Sequence, residues 1–415
     1  MSEHTLQAPK EERLNVTKLG IIPVALLALS VVLLGFSLLF GYFFNPQQLA
    51  YSWLVSFMWV FTISAGCFFW VLVHHAVDAD WSVVVRRIME TIGSLFFPWI
   101  LLLFIPMYFM VPLIYKWWTI KPGVDFLLDH KAAFLNHQVF WGKAALYFLY
   151  FGFATWFMRR ISIQQDATGD PFLTIKMRKY AYGFMPLFAV LITFAFLDWI
   201  MGLNHHWYST MFGVYLFAGT AGGGIAITIL VSNALRAAGY LRGVVTVEHN
   251  HIMGKLLLAF TIFWAYTAFS QYMLIYYANI PEETIFYVHR NTNSWLYVSI
   301  FIVFARFLIP FIMLLTQPAK RNPFRICFTA AWILVMHVVD LHWLIMPQMQ
   351  IFQAIKAGHP HGAAEYLHFA PHILDLTVLV GMICLLAFVF LRRFSKASIF
   401  PVRDPRLFDS VTLTN

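Results

Sequence analysis

The segment MHVVDLHWLIMP, residues 336–347, carries His337, Asp340 and His342 inside an otherwise apolar run. Imidazole titrates near neutrality and a partly buried carboxylate can be raised toward it, so these residue types together suit proton transfer. The same combination recurs along the chain in two layers. One layer holds Asp198, His205 and His206, then His337, Asp340 and His342, then His372 and Asp375; the other holds His74, His75 and Asp78, then Glu90, then Glu248, His249 and His251. His337/Asp340 and His372/Asp375 have the i, i+3 spacing that puts each pair on one helix face. Two titratable layers with an apolar middle have the pattern of two half-channels. The candidates for such a proton path are His74, His75, Asp78, Glu90, Asp198, His205, Glu248, His337, Asp340, His342, His372 and Asp375.

Bland uses compete with this reading. For Asp340 and His337 the structural alternative is a helix–helix hydrogen bond, worth under about 1 kcal/mol within a bilayer. For His74, His75, Asp78, Glu90 and Glu248, which sit near the ends of apolar segments, it is solvation at the interface. Arg306 interrupts another apolar segment and requires a carboxylate or carbonyl partner, because a charge at mid-bilayer costs about 2.5–3.5 kcal/mol on insertion scales. Haem b would need two histidines from different helices at one depth, which the first layer could supply. Adjacent pairs such as His74-His75 cannot both point at one iron. There is no HExxH run, no CxxC and no CxxCH; Cys67, Cys327 and Cys384 stand singly, and no metal site is expected.

The elements that must position these groups follow from composition. The chain is 60% hydrophobic and 11% charged, with a mean hydropathy of +0.71, against about 25% charged in a soluble domain. Apolar stretches near the 20 or so residues that cross a hydrocarbon core fall at roughly 19–44, 48–76, 93–116, 138–160, 179–201, 208–236, 251–277, 293–316, 324–346 and 370–393. The first 18 residues are polar, and the apolar run after them is longer than a signal-peptide core, so it reads as a retained first span. Lys and Arg crowd the connections on the N-terminal side, among them Arg86, Arg87, Arg159, Arg160, Lys176, Arg178, Lys179, Lys320, Arg321, Arg392 and Arg393. Lys116, Lys121, Lys131, Lys143, Arg290 and Lys356 fall on the other side. Both termini are therefore expected in the cytoplasm. The net charge of +9 expresses this bias, and no nucleic-acid partner is expected.

An internal repeat is also legible. YSWLVSFMWVFTISAGCF from Tyr51 and YSTMFGVYLFAGTAGGGI from Tyr208 each open on Tyr-Ser and reach a small-residue cluster, at Ala65-Gly66 and Gly222-Gly223. Three spans later, FLDWIMGLNHHW and VVDLHWLIMP place Asp198 and Asp340 in matching slots near the outer ends; Glu90 and Glu248 match likewise. The expected fold is an all-α integral membrane protein of ten transmembrane helices: two four-helix bundles (spans 2–5 and 6–9) flanked by spans 1 and 10. An even number of spans per unit makes this a parallel repeat about the membrane normal. The segments are a tail at 1–18, the peripheral first span at 19–47, bundles at 48–207 and 208–347, an outer loop with the tenth span at 348–393, and a tail at 394–415. The small-residue runs allow close helix packing.

GKLLLAFTIFWAYTAFSQYMLIYYANIPEETIFY (254–287), HHAVDADWSVVVRRIME (74–90) and FLDWIMGLNHHWYSTMFGVYLFAG (196–219) resemble the NrfD/PsrC-like membrane subunits of bacterial alternative complex III, a quinol:cytochrome c oxidoreductase, along essentially the whole chain. Within that group the resemblance is to the ActF type, labelled quinone-binding subunit 2. It implies a multi-pass protein of the bacterial inner membrane, without a redox centre of its own and non-catalytic, contributing assembly and a candidate proton path. The implied partners are an ActC-like membrane subunit, an iron–sulfur protein, c-type cytochromes carrying haem c, a terminal oxidase and lipids. Quinone or quinol is the one small molecule implied, and Tyr51, Asp198 and His205 are its candidate contacts, with interfacial anchoring the alternative for Tyr51. A quinol-oxidising NrfD-type anchor and a secondary transporter remain open as other functions.

Overall fold

The computed structural model describes residues 11–358 and 366–414; the beginning of the expected N-terminal tail and part of the loop before the last span lie outside them. The fold is helical, with no named strand among the described residues and one isolated antiparallel bridge between Arg13 and Ser398. In chain order the helices are α1 (Ile22–Phe44), α2 (Pro46–Ala76), α3 (Val83–Gly93), α4 (Trp99–Ile114), α5 (Phe126–His130), α6 (His137–Thr168), α7 (Phe172–Trp199), α8 (Phe212–Ala237) and α9 (Val247–Ala278). There follow α10 (Pro281–Arg290), α11 (Trp295–Ile302), a π-helical turn (Val303–Leu308), α12 (Ile309–Leu315), α13 (Gln317–Arg321), α14 (Pro323–Lys356), α15 (Ile373–Phe394) and α16 (Leu407–Val411). Among the described residues, nine helical segments are long and apolar enough to cross a membrane. The 138–160 stretch, expected as a tenth, forms α6, a 32-residue helix that packs along α7 but is not among the nine.

Helix α2 is the hub. It packs against α8, α15, α7, α4 and α14, and it is buried along most of its length, so its residues are apolar on every side. Its contact with α8 is backbone to backbone: a Cβ on Gly66 would lie 2.0 Å from the Thr220 carbonyl oxygen, and one on Gly224 would lie 2.4 Å from the Gly66 carbonyl carbon. The small residues act here as expected. Trp70 Nε1 on α2 donates to the Ala221 carbonyl at 2.8 Å, pinning the register of the seam. Helix α1 runs along α15 at the edge, and many of its apolar side chains are exposed.

Several boundaries move, each for a local reason. The third span begins before residue 93, because Val83–Gly93 is already a buried helix, and the chain then breaks at Phe97-Pro98 before α4. Glu90 therefore lies within a helix and not ahead of one. Helix α14 runs to Lys356 rather than ending near 346, which leaves Asp340 near its middle, whereas Asp198 is the next-to-last residue of α7. The two acids are not at equal distances from their helix ends. Tyr208, aligned with Tyr51 in the repeat, lies in the turn before α8 and is exposed, while Tyr51 is buried inside α2. The π turn ends where Pro310 enters: without an N–H, and with its ring against the carbonyl four residues back, proline forces the register to widen. The C-terminal segment folds back instead of trailing free, burying Ile399, Phe400, Asp404 and Ser410 against the chain. Ile399 N–H donates to the Glu12 carbonyl at 2.9 Å, so both described ends of the chain meet at one end of the helical body.

The seam makes a testable demand. Gly66→Ala should lower the melting temperature in detergent, with an overpacking cost of about 1–3 kcal/mol. Gly183→Ala in α7, whose Cβ would meet nothing within 4 Å, should be neutral or stabilising by about 0.5–1 kcal/mol. Equal melting curves for the two variants would remove the seam from the stability of the fold.

Candidate functional site

Helices α8, α14 and the π turn surround the group expected from MHVVDLHWLIMP. Asp340 is 1% exposed, and Arg306 from the π turn places Nη1 2.5 Å from its Oδ2. The Tyr215 hydroxyl of α8 donates to Asp340 Oδ1. Arg306 also donates to the Met336 carbonyl at 3.3 Å and to His337 Nδ1 at 3.2 Å, and stacks over Trp264 of α9 at 4.3 Å. Because Arg306 occupies Nδ1, the imidazole proton belongs on Nε2, which lies 2.9 Å from Thr62 Oγ1 of α2; that hydroxyl donates on to the Trp59 carbonyl at 3.0 Å. The widened π turn carries the guanidinium inward, and Gly219 leaves room for it: a Cβ there would lie 2.7 Å from Arg306 Nη2. Arg306 thus has both partners its position demanded. It also stands between His337 and Asp340, and since a guanidinium does not give up its proton, it separates the two groups instead of relaying between them. The hydrogen-bonded neighbour through which Asp340 can exchange a proton is Tyr215.

The matching acid is built alike from other residues. Asp198, also 1% exposed, accepts from Lys143 Nζ at 2.5 Å and from the Tyr147 hydroxyl at 2.5 Å, both on α6. Asp198 and Asp340 are thus each buried between a tyrosine hydroxyl and a cation. Of these partners the sequence singled out Arg306 alone; Tyr147, Tyr215 and Lys143 were not expected there. The signal for Lys143 was the one that marked Arg306, a cation in an apolar run in need of a buried acid.

At the end where the described chain ends meet, His74 and His75 are buried, and no group among the described residues hydrogen-bonds any of their ring nitrogens; His74 packs edge-on against Trp81 at 4.9 Å. Solvation at an interface does not describe them, nor Glu90, which is 4% exposed. Arg86 lies 3.2 Å from Glu90 and 2.6 Å from Asp404, and Arg87 lies 2.5 Å from Asp166. Burial pushes the Asp404 carboxyl up, but Arg86 and Arg406 together hold it well below the usual carboxylate range. Asp78 is largely exposed and pairs with Arg178 and Arg406, while Glu248 pairs with Arg321 at 2.8 Å and lies 3.7 Å from His251. His249 caps the start of α9 by accepting from the Thr246 N–H at 3.0 Å. Asp166, Asp404 and Arg406 escape a sequence reading because a charged residue in a connection or tail is ordinarily solvated.

At the opposite end, Asp375 accepts from Ser52 at 2.5 Å and Gln48 at 3.1 Å and lies 3.3 Å from His342. His372 is the N-cap of α15, paired with Asp375 in a capping box. His205 and His206 both bring Nε2 to Asp125 Oδ2, at 2.8 and 2.7 Å. Adjacent histidines converge here because they lie in a turn, where neighbouring side chains need not diverge as on a helix. Burial pushes Asp125 up, yet hydrogen bonds from His205, His206 and the Leu128 N–H hold it below the carboxylate range. Asp125, His205 and His206 are the one group of three among the described residues with metal-ligand spacing, a grouping not expected from sequence. Lys116 and the Lys131 ammonium, which donates to the His205 carbonyl at 2.6 Å, oppose a cation there.

The quinone trio is only partly brought together. Tyr51 and His205 line one cavity of about 710 Å³ that Asp198 does not reach. Tyr51, buried, is not an interfacial anchor; its hydroxyl donates to the Ile114 carbonyl at 2.8 Å. The Tyr51 hydroxyl proton goes to Ile114 and His205 Nε2 to Asp125, so of this pair His205 Nδ1 is the ring atom those contacts leave unengaged.

No protein-family model matches the chain, and no curated protein matches it.

Two outcomes are expected. Arg306→Met should destabilise by about 3–5 kcal/mol by leaving Asp340 buried without its counter-charge, and Arg306→Met with Asp340→Asn should recover much of that loss, read as melting temperature in a double-mutant cycle. Burial, with His206 and Lys116 adding to it, lowers the His205 pKa below its ordinary 6.5 despite Asp125. The unfolded chain then binds more protons below about pH 6.5, so stability should fall as pH drops through that value. His205→Gln, which keeps a donor toward Asp125, should flatten this slope; an unchanged slope would mean that other groups set it.

Proposed function

We propose that this chain is a membrane subunit of a respiratory quinol:cytochrome c oxidoreductase of the alternative complex III type, ActF-like, contributing assembly and a proton path across the bilayer. In this reading α6 is a tenth span, α2–α7 and α8–α14 are the two bundles, and the end where the described chain ends meet faces the cytoplasm of a bacterial inner membrane. The observation that carries it is the paired design of Asp198 and Asp340: each is buried between a tyrosine hydroxyl and a cation, in the last long helix of its unit. A buried carboxylate needs a donor at each oxygen, and a phenol meets that need while also being a group that can pass on a proton, as a half-channel requires. The buried His74, His75 and Glu90 then line the cytoplasmic side, and His342 and Asp375 the outer side. Haem c and iron–sulfur clusters belong to the partner subunits. The quinol-binding alternative is weaker on geometry, because Tyr51 and His205 already hydrogen-bond within the protein.

The test has two parts. Under mild detergent the chain should copurify with c-type cytochromes and an iron–sulfur protein; isolation alone would favour a transporter. In liposomes under quinol turnover, Asp340→Asn should slow its proton-transfer step by about 10²-fold or more and lower the proton-to-electron ratio, while the complex still assembles with its haems. His337→Gln should have a smaller effect, since Arg306 separates His337 from the acid. An unchanged ratio in the Asp198→Asn/Asp340→Asn double variant would leave both acids as packing groups.

A further inference from the structure

Between α9, α10 and the α11–π-turn segment lies a second cavity, of about 570 Å³, that none of the groups expected from the sequence occupies. Its size is that of a small-molecule pocket, which runs to about 300–1,000 Å³. The walls are apolar and aromatic, with Trp264 and Ala268 on α9 and Trp343 on α14. Its mouth opens sideways: Phe269 on α9 and Val303 in the π turn line it and are 62% and 58% exposed. Both belong to membrane-crossing segments, so whatever enters comes from the bilayer.

A buried amide lines this space without a full set of partners among the described residues. Gln271 is 4% exposed; its amide nitrogen donates to the Tyr287 hydroxyl at 3.2 Å, and its Oε1 has no hydrogen-bond partner among the described residues. An unmet acceptor in an apolar setting costs about 1–3 kcal/mol, and a helix that could carry leucine there carries glutamine. A hydroxyl both donates and accepts, so it satisfies the free end of this amide whichever way the amide is turned. Aromatic walls favour a ring beside that hydroxyl. Tyr215, which holds Asp340, lines the same cavity.

We propose that this cavity binds a membrane-dissolved alcohol or phenol with an apolar tail, its hydroxyl on Gln271 and its body between α9 and α11. The site needs the membrane embedding of these helices and not the respiratory assignment. Its failure would leave the proton-to-electron measurement untouched, and the reverse also holds.

The experiment uses the full chain, with whatever copurifies, in lipid nanodiscs. The probes are a photoreactive alkyl phenol, a photoreactive fatty alcohol, and the methyl ether of the phenol, with adducts mapped by mass spectrometry. Saturable phenol or alcohol adducts are expected on α9 and α11, displaced by excess unlabelled compound; the stronger of the two identifies the head group. Gln271→Leu should weaken the hydroxylated probe about tenfold and leave the ether unchanged. Ala268→Trp should abolish labelling by filling the cavity, and Val303→Trp should do so from the opposite wall if the first variant does not fold. Ether labelling equal to phenol labelling, adducts that excess ligand does not displace, or full labelling in a folded cavity-filling variant would each overturn the site and reduce it to a lipid-exposed groove.

Discussion

Two helix backbones touch where Gly66 of α2 meets Thr220 and Gly224 of α8, and most of the arrangement is set by that contact. In a bilayer no hydrophobic force drives helices together, so close packing and hydrogen bonds must do it. Glycines at the seam let α2 and α8 approach until Trp70 reaches the Ala221 carbonyl. Helix α2 is then enclosed by α4, α7, α14 and α15. The approach also brings Thr62 of α2 within hydrogen-bond distance of His337 on α14, tying the first half of the chain to the charged group in the second.

Asp340 and Asp198 are each met by partners from other helical segments. Asp340 on α14 is held from α8 and the π turn, and Asp198 on α7 from α6. Such groups act as registration marks, since sliding one helix by a turn would strand a buried charge at a cost of several kcal/mol. The same requirement accounts for the C-terminal segment, whose Asp404 is drawn back to Arg86. Stability and chemistry therefore rest on the same atoms: the interactions that fix the helices also hold two carboxylates next to tyrosine hydroxyls, and a proline-linked widening of one helix places the arginine and forms one wall of a lateral cavity.

Composition and the lengths of apolar runs determined that this is a helical, membrane-type chain, because crossing hydrocarbon demands long apolar stretches with satisfied backbones. The small-residue clusters announced close packing, and Arg306 announced a buried partner, since neither pattern has another inexpensive use in an apolar run. The sequence could also pick out His337, Asp340 and Asp198 as out of place. What the partners are was decided by the tertiary structure alone. Tyr215, Tyr147 and Lys143 become ligands of the acids only once α8 and α6 are laid against α14 and α7, contacts that no local periodicity encodes. Only the fold shows that Arg306 stands between His337 and Asp340, that His372 is spent on a helix cap, that adjacent His205 and His206 converge in a turn, and that Asp404 leaves the tail to reach Arg86. Local pattern reports which groups are costly to bury; only three-dimensional packing reports how each cost is met.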